Sequence, residues 1–171
     1  MFRIEVTRQE RRTREGNAAR RGASAIARET LREAKPKLIS LIRQRYTYKG
    51  SIAGKIKLRG RGNAGADLKI AASRENITHF KHKKPTRRSY LYAEPLRGSG
   101  WTDRRAFMYR TVMHRLGAAR YPIAAIKGAS VAEMAGHESE PATPVLKFIE
   151  RRLAKRLTEM NVESLVNARL M

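Results

Sequence analysis

The chain has 171 residues, of which 38 are Lys or Arg and 15 are Asp or Glu, giving a formal net charge of +23. This length fits one domain, with or without helical extensions, and is enough to bury a core. The absence of cysteine excludes disulfides and thiolate chemistry. The sequence predicts neither a membrane-spanning helix nor a signal peptide, because it has no apolar run of the length either requires.

The positive charge is concentrated in the middle of the chain. Residues 43–88 carry 14 basic and 2 acidic residues, a net charge of +12. A protein with such a field is expected to have a negative partner, and nucleic acid is the commonest one, followed by an acidic protein surface. A membrane surface is disfavoured, because no helical pattern is strongly apolar opposite a basic face.

The N-terminal part is predicted to be mainly helical. Residues 2–6 alternate in polarity and predict a short strand. An Ala-rich helix is expected from about Asn17, and Pro36 is expected either to kink it or to open a second helix that ends near Tyr46. The predicted buried face repeats at spacings of three and four residues: Ala19, Ala23, Ile26, Thr30 and Ala34.

A β-hairpin is predicted next. Ile56 and Leu58 alternate with cations, which indicates a strand with its apolar side inward. A turn at 60–63 and a second alternating segment at 66–72 complete the hairpin. The remaining predicted segments are a basic loop at 81–88, strands at 90–96, 106–113 and 121–126, a loop at 98–101, and a turn at 128–136 that leads into a brief helix.

A C-terminal helix is predicted after Pro141, with Thr143 as its N-cap and Pro144 at its first position, and with a break near Asn161. Its apolar stripe consists of Leu146, Ile149, Leu153, Leu157 and Met160. The expected fold class is α+β, in which a mainly antiparallel sheet of four to five strands packs with a long N-terminal and a C-terminal helix. We divide the chain into an N-terminal arm (1–16), a core domain (17–140) and a C-terminal helix (141–171).

The middle basic cluster is the first candidate site. Phosphate contacts require only positive charge within reach and carry no sequence preference, so this cluster predicts a surface facing a nucleic-acid backbone. A solvated face, or a contact with acidic neighbours in an assembly, is the other interpretation. The cluster comprises Lys55, Lys57, Arg59, Arg61, Lys81, Lys83, Lys84, Arg87 and Arg88.

Base-specific recognition is not expected, because no zinc finger, helix-turn-helix or RNP-type aromatic pattern is present. Four aromatic residues, Trp101, Phe107, Tyr109 and Tyr121, could stack on bases. At strand spacing such residues more often fill a core, and we expect core positions for them.

Catalytic and metal sites are also not expected. His79 and His82 could share a metal only on a helix, and the surrounding cations would repel it. A nuclease would need two or three carboxylates around a metal, and the spacing of Asp67 and Glu75 gives this alternative little support. No Ser-His-Asp order, phosphate-binding loop or dinucleotide fingerprint is present, so we predict no enzyme and no cofactor.

The segment from Trp101 to Met134 resembles the minor tail protein Z family of lambda-type long-tailed phages. In that family a phenylalanine strand is followed by an Arg-x-Pro-Ile strand, a Gly-Pro-Ser-Val-Pro-x-Met turn and a long C-terminal helix. Alanines 129 and 132 replace the two prolines of the turn, and the Asn17–Arg20 segment is similar to the family's first helix. The matching positions are Phe107, Arg120, Pro122, Ile123, Gly128, Ser130, Val131 and Met134.

The resemblance implies a structural role in a phage particle. Family members act in tail completion at the head-proximal end of the tail, which implies location in the virion, with host cytoplasm as the place of assembly. It implies a homo-oligomeric ring, commonly six-fold, in contact with a tail terminator, tail tube or connector and with phage DNA in the channel. Lys55, Lys57, Arg59 and Arg61 are then expected to face the lumen or the DNA end.

A basic ribosomal-type RNA-binding protein is the main alternative. Its size, its isoelectric point near 11.4 and its lack of cysteine all fit. Against it, the basic residues are mostly Arg within patterned elements and not a long Lys-rich tail.

Overall fold

The computed structural model describes residues 2–5, 14–62, 65–118, 121–136 and 141–169, with side chains described from residue 21 to residue 160 within these ranges. The fold is α+β, as predicted. The helices are α1 (Arg14–Arg45), α2 (Val131–Ala135) and α3 (Ala142–Arg169). The strands are β1 (Phe2–Glu5), β2 (Ile56–Gly60), β3 (Gly65–Ile70), β4 (Arg74–Asn76), β5 (Lys81–Lys83), β6 (Leu91–Leu96), β7 (Ser99–Asp103), β8 (Ala106–Met108), β9 (Val112–Arg115), β10 (Ile123–Ala125) and β11 (Lys127–Ser130).

Helix α1 is continuous and begins before the predicted Asn17. Pro36 lies inside it on the exposed side, so neither a second helix nor an interruption occurs there. A proline removes one helical hydrogen bond, and on the exposed side the carbonyl left without its donor can be hydrated. Thr30 and Ala34 of the predicted face are buried, and Ala27, Leu31, Leu38 and Ile42 are buried with them. None of the described helices is both long enough and apolar enough to cross a membrane.

The predicted hairpin is confirmed as β2 and β3, which pair antiparallel with Leu58 opposite Leu68. The predicted first strand is also confirmed, and β1 pairs with the other edge of β3, so the strand order is β1-β3-β2. Ile56, Ala66 and Leu68 are buried and join the α1 residues in one core. This leaves the opposite side chains of β2 exposed.

The later part of the chain forms two three-stranded antiparallel sheets, β5-β6-β7 and β10-β9-β8. Three predictions are corrected here. The first residues of the basic loop form β5, the 98–101 loop lies largely in β7, and the strand predicted at 106–113 is a hairpin of β8 and β9. Gly98, with φ of +77°, provides the tight turn between β6 and β7 that only a glycine adopts without strain.

The brief helix predicted after residue 128 is α2, but a strand, β11, and not a turn precedes it. Ser130 caps α2: its hydroxyl accepts a hydrogen bond from the Glu133 amide, and the Glu133 carboxylate accepts one from the Ser130 amide. This reciprocal capping box is typical of helix starts. Val131 and Met134 are consequently held in the core, without measurable exposure.

Helix α3 is confirmed but differs from its prediction in detail. It begins at Ala142, so Thr143 and Pro144 lie within its first turn, and it continues past Asn161. Leu146 and Leu157 are exposed, whereas Val145 and Ile149 are buried. Packing against α1, with Met160 facing Gly22 and Phe148 beneath Lys37, selects this face.

Candidate nucleic-acid-facing surface

The predicted cations of β2 divide into two kinds. Lys57 and Arg59 are exposed on an edge strand and form no ion pair with a residue in the described part of the chain. Lys55 and Arg61 instead hold buried carboxylates: Lys55 bonds Glu75, and Arg61 Nη2 lies 3.3 Å from Asp67 Oδ2. Only Lys57 and Arg59 are therefore available to an outside partner without loss of an internal contact.

Glu75 is the buried centre of a polar cluster that joins β4 with the segments just before β2 and before β5. Besides Lys55, Tyr48 donates its hydroxyl to Glu75 at 2.9 Å, and His79 Nδ1 lies 3.0 Å away. Burial alone would raise the pKa of Glu75, but the contacts with Lys55, His79 and Tyr48 outweigh it and lower the pKa. Burial and the adjacent carboxylate together raise the pKa of Tyr48.

Lys81, at the start of β5, is also engaged. Its ammonium lies 2.6 Å from Glu94 Oε2, and Glu94 also accepts from the Gly98 amide at 3.0 Å and from the Tyr92 hydroxyl at 3.2 Å. The hydrogen bonds from Lys81 and Gly98 lower the pKa of Glu94 to about 2. Lys81 is thus a structural cation of the β5–β6 pair.

The other four predicted cations, Lys83, Lys84, Arg87 and Arg88, are exposed. Arg87 and Arg88 are the central residues of a two-residue turn in which Thr86 and Ser89 exchange backbone hydrogen bonds at 2.9 and 3.4 Å. None of the four side chains forms an ion pair with a residue that the structure describes. These cations belong to the β5-β6-β7 region and those of β2 to the β1-β3-β2 sheet, so the predicted cluster is divided between two sheets.

Almost all acidic side chains that the structure describes are paired with basic side chains of the same protein. Every acidic side chain described, apart from Glu150, lies within 3.9 Å of a basic nitrogen of Lys, Arg or His. The exposed cations that remain therefore have no counter-charge among the residues that the structure describes. The resulting surface attracts polyanions and is expected to repel other copies of itself.

Most residues that match the family motif can be located in the fold. Phe107 lies in β8, Ile123 opens β10, and Pro122 accepts the Leu116 amide at 3.1 Å. Gly128 lies against Phe80, where a Cβ would come within 3.0 Å of three ring carbons. Arg120 lies outside the described residues.

The expected core positions of the aromatic residues are wrong for all four, since none of them belongs to the buried core. Trp101, Tyr109 and Tyr121 are exposed, and only Phe107 is half-buried. Trp101 lies in β7, an edge strand of a small sheet that cannot bury both of its faces, whereas Tyr109 and Tyr121 lie between strands. Tyr90, Arg104 and Arg105 were not among the predicted site residues, although paired arginines next to Asp103, an acid that favours turns, are a signal in the sequence.

No group of three or more potential ligands that could hold a metal ion exists among the described residues. His82 Nδ1 lies 2.9 Å from the Phe80 carbonyl, and His79 contacts Glu75. Asp67 and Glu75, the two acids weighed for a nuclease, are buried and paired with different cations. Comparison with protein-family models, with curated proteins and with solved structures found no match.

Proposed function

We propose that this chain is a structural protein of a long-tailed phage particle, acting in tail completion or head–tail joining at the neck end of the tail. In this role it forms a ring, with six copies as the expected number, around the DNA channel and contacts neighbouring neck or tail proteins. The sequence resemblance over residues 101–134 motivates the particular role, and it implies no catalytic residue.

The main support for the proposal is that almost all described acidic side chains are paired with cations inside the protein, whereas many described cations are not paired. Lys57, Arg59, Lys83 and the turn arginines form no ion pair with a residue that the structure describes, whereas nearly all described carboxylates have a basic partner. Such a surface binds a phosphate backbone without reading its sequence, which is what a protein lining a DNA passage requires. A polyanion in the channel would also offset the repulsion between neighbouring copies of a +23 chain.

An apolar sheet face supports an assembly role. In the β10-β9-β8 sheet, Phe107 and Ala125 lie opposite Met113, and Ile123 lies opposite Arg115, so these side chains share one face. The four apolar residues, Phe107, Met113, Ile123 and Ala125, are half-buried. They belong neither to the buried core nor to the side chains packed against it. Apolar surface left outside the core is typical of protein–protein contact sites, and an adjoining protein in the particle would cover this one.

The first experiment is quantitative mass spectrometry of purified phage particles, with ribosomes from the same cells as the control. Tail completion by a closed six-fold ring predicts about six copies per particle. Enrichment in ribosomes with absence from particles would reject the proposal in favour of the ribosomal-type RNA-binding protein.

A second experiment separates the DNA contact from assembly. The double variant Lys57→Glu, Arg59→Glu reverses only cations that have no internal partner, so the fold should be kept. We expect normal tail formation but poorly positioned DNA and reduced infectivity. The matched control is Arg32→Glu, Lys147→Glu, which reverses two exposed helix cations; equal infectivity of the two doubles would contradict a DNA-facing β2.

A further inference from the structure

Two turns that each carry a pair of arginines lie at the same end of the β5-β6-β7 sheet. The first is the Arg87–Arg88 turn that precedes β6, and the second is the Arg104–Arg105 connection that follows β7. Because Leu91 pairs with Asp103 as the first pair of the β6–β7 ladder, the residues just beyond it, Tyr90 and Arg104, are neighbours. The Arg104 guanidinium carbon lies 5.4 Å from the centre of the Tyr90 ring, within cation–π range.

Both turns are held by internal hydrogen bonds that leave the guanidinium groups free. Thr86 and Ser89 hydroxyls lie 2.8 Å apart beneath the first turn, and the Arg88 amide donates to Thr86 Oγ1 at 3.2 Å. In the second, the Arg105 amide donates to Asp103 Oδ1 at 2.7 Å. None of the four guanidinium groups forms an ion pair with a side chain in the described ranges.

The contact with Arg104 is the only polar or aromatic interaction of the Tyr90 side chain with a described residue, and it does not need the hydroxyl. The Tyr90 side chain is 56% exposed, and its hydroxyl forms no hydrogen bond with a residue that the structure describes. Asp103, the acid of the second turn, is already engaged by the Arg105 amide and lies 3.6 Å from His114 Nδ1. The site therefore presents an exposed aromatic ring with Arg104 over one face, beside four cations that have little opposing charge among the described residues.

We propose that Tyr90 and the two arginine turns form a binding site for single-stranded nucleic acid, in which an unpaired base stacks on Tyr90 and the arginines contact the flanking phosphates. This inference rests on one part of the proposed function, namely that the chain contacts nucleic acid. Aromatic rings combined with a cationic surface are the usual means of holding unpaired strands without sequence preference. A duplex offers phosphates to the arginines but no free base face to Tyr90, and an acidic peptide offers neither a base nor a phosphate.

The test is fluorescence anisotropy of the full chain with a labelled 12-nucleotide oligo-dT and with a 12-base-pair duplex, each over a range of salt. We expect Tyr90→Ala to weaken oligo-dT binding about tenfold and to leave duplex binding within twofold, because only the single strand uses the ring. Tyr90→Phe should retain oligo-dT binding, since stacking does not need the hydroxyl. Equal effects of Tyr90→Ala on both probes, or none on either, would overturn the proposal.

The arginines are tested by the salt dependence. The double variant Arg87→Ala, Arg88→Ala should reduce the slope of log affinity against log salt for oligo-dT by about 1.4, the value for two lost phosphate contacts on a single strand. The matched control, Arg32→Ala with Arg151→Ala, removes the same charge from exposed helix positions and should leave the slope unchanged. Equal slopes for the two doubles would count against the site.

Competition with a twelve-residue poly-Glu peptide tests whether the partner is an acidic protein and not a single-stranded nucleic acid. If the peptide displaces oligo-dT at equal concentration and Tyr90→Ala does not alter the competition, the surface is a protein contact and the inference fails. Thermal unfolding of each variant verifies that the fold is kept. If these binding experiments fail, the proposed role in the phage particle is not affected. If the chain is absent from phage particles, the proposed single-strand site is not affected, because the two experiments share no measurement.

Discussion

Glu33 of α1 accepts a hydrogen bond from Arg156 of α3, with 2.6 Å between Oε1 and Nη2. Arg152 Nε binds the other oxygen of the same carboxylate at 3.0 Å. Arg156 Nη1 also lies 3.2 Å from Glu29 but without forming a hydrogen bond. The hydrogen bond from Arg152, assisted by the charge of Arg156, lowers the pKa of Glu33 despite its partial burial.

Replacement of Glu33 by Ala should loosen the pairing of α1 and α3, because the largely buried guanidinium of Arg156 loses its partner. The carboxylate is one-third exposed, so solvent screening limits the loss to about 1 kcal/mol. Thermal unfolding should show a decrease of a few degrees in Tm. Glu150→Ala, which removes an exposed carboxylate of α3, serves as the control and should unfold like the wild type.

Glu75→Gln should be more damaging, because it leaves Lys55 without its counter-charge inside the polar cluster. We expect the free energy of unfolding to fall by about 2 kcal/mol, which is below the range for fully buried pairs because Lys55 is partly exposed. Urea denaturation measures this loss. The exposed Lys155–Glu159 pair provides the comparison: Glu159→Gln should cost less than about 0.5 kcal/mol, and similar losses in both variants would contradict the importance of burial.

The low pKa of Glu94 predicts how the stability of the protein depends on pH. The pKa of Glu94 is about 2 in the folded chain, against an ordinary value of 4.5. A depressed folded-state pKa contributes stability that is fully present above the unfolded pKa and is lost as the pH falls towards the folded one. In Tm measurements from pH 7 to pH 2, wild type and Glu94→Gln should differ above pH 4.5 and converge near pH 2. Two parallel curves would show that the Glu94 contacts with Lys81 and Gly98 do not contribute in this way.

Gly128→Ala tests a close contact in the core. The added methyl group would overlap the ring of Phe80, which is fully buried and cannot move outward. Overpacking of this kind typically costs about 1–3 kcal/mol, and Tm should fall accordingly. At Gly117 a methyl group would meet no atom within 4 Å, so Gly117→Ala should be nearly neutral; an equal Tm for the two variants would refute the contact.

Residues with a strong local pattern were predicted well. Leu58 and Leu68 alternate with polar neighbours on either side of a Gly-rich turn, and they form the expected hairpin. The spacing of apolar residues from Leu146 onward likewise predicted α3. In these segments the periodicity of the side chains and the geometry of the backbone agree.

Elements that depend on distant packing were not predicted. Pro36 continues a helix because its side of α1 faces solvent, which no local pattern indicates. Trp101 was expected in a loop or a core, yet it lies in an edge strand and remains exposed, since β7 pairs only with β6. For the candidate surface, the sequence located the positive charge, but only the structure showed that Lys55, Arg61 and Lys81 are committed to buried acids.

The pairing of α1 with α3 also affects the order of events during synthesis. The contact between Glu33 and Arg156 spans 123 positions of the chain, so α1 leaves the ribosome long before its partner exists. At the usual rate of translation this interval is roughly 6 to 25 s. During that time the flank of α1 that carries Glu33 and Lys37 stays uncovered. The protein therefore completes its native surface only after α3 has been made, and incomplete chains do not present the same surface to a partner.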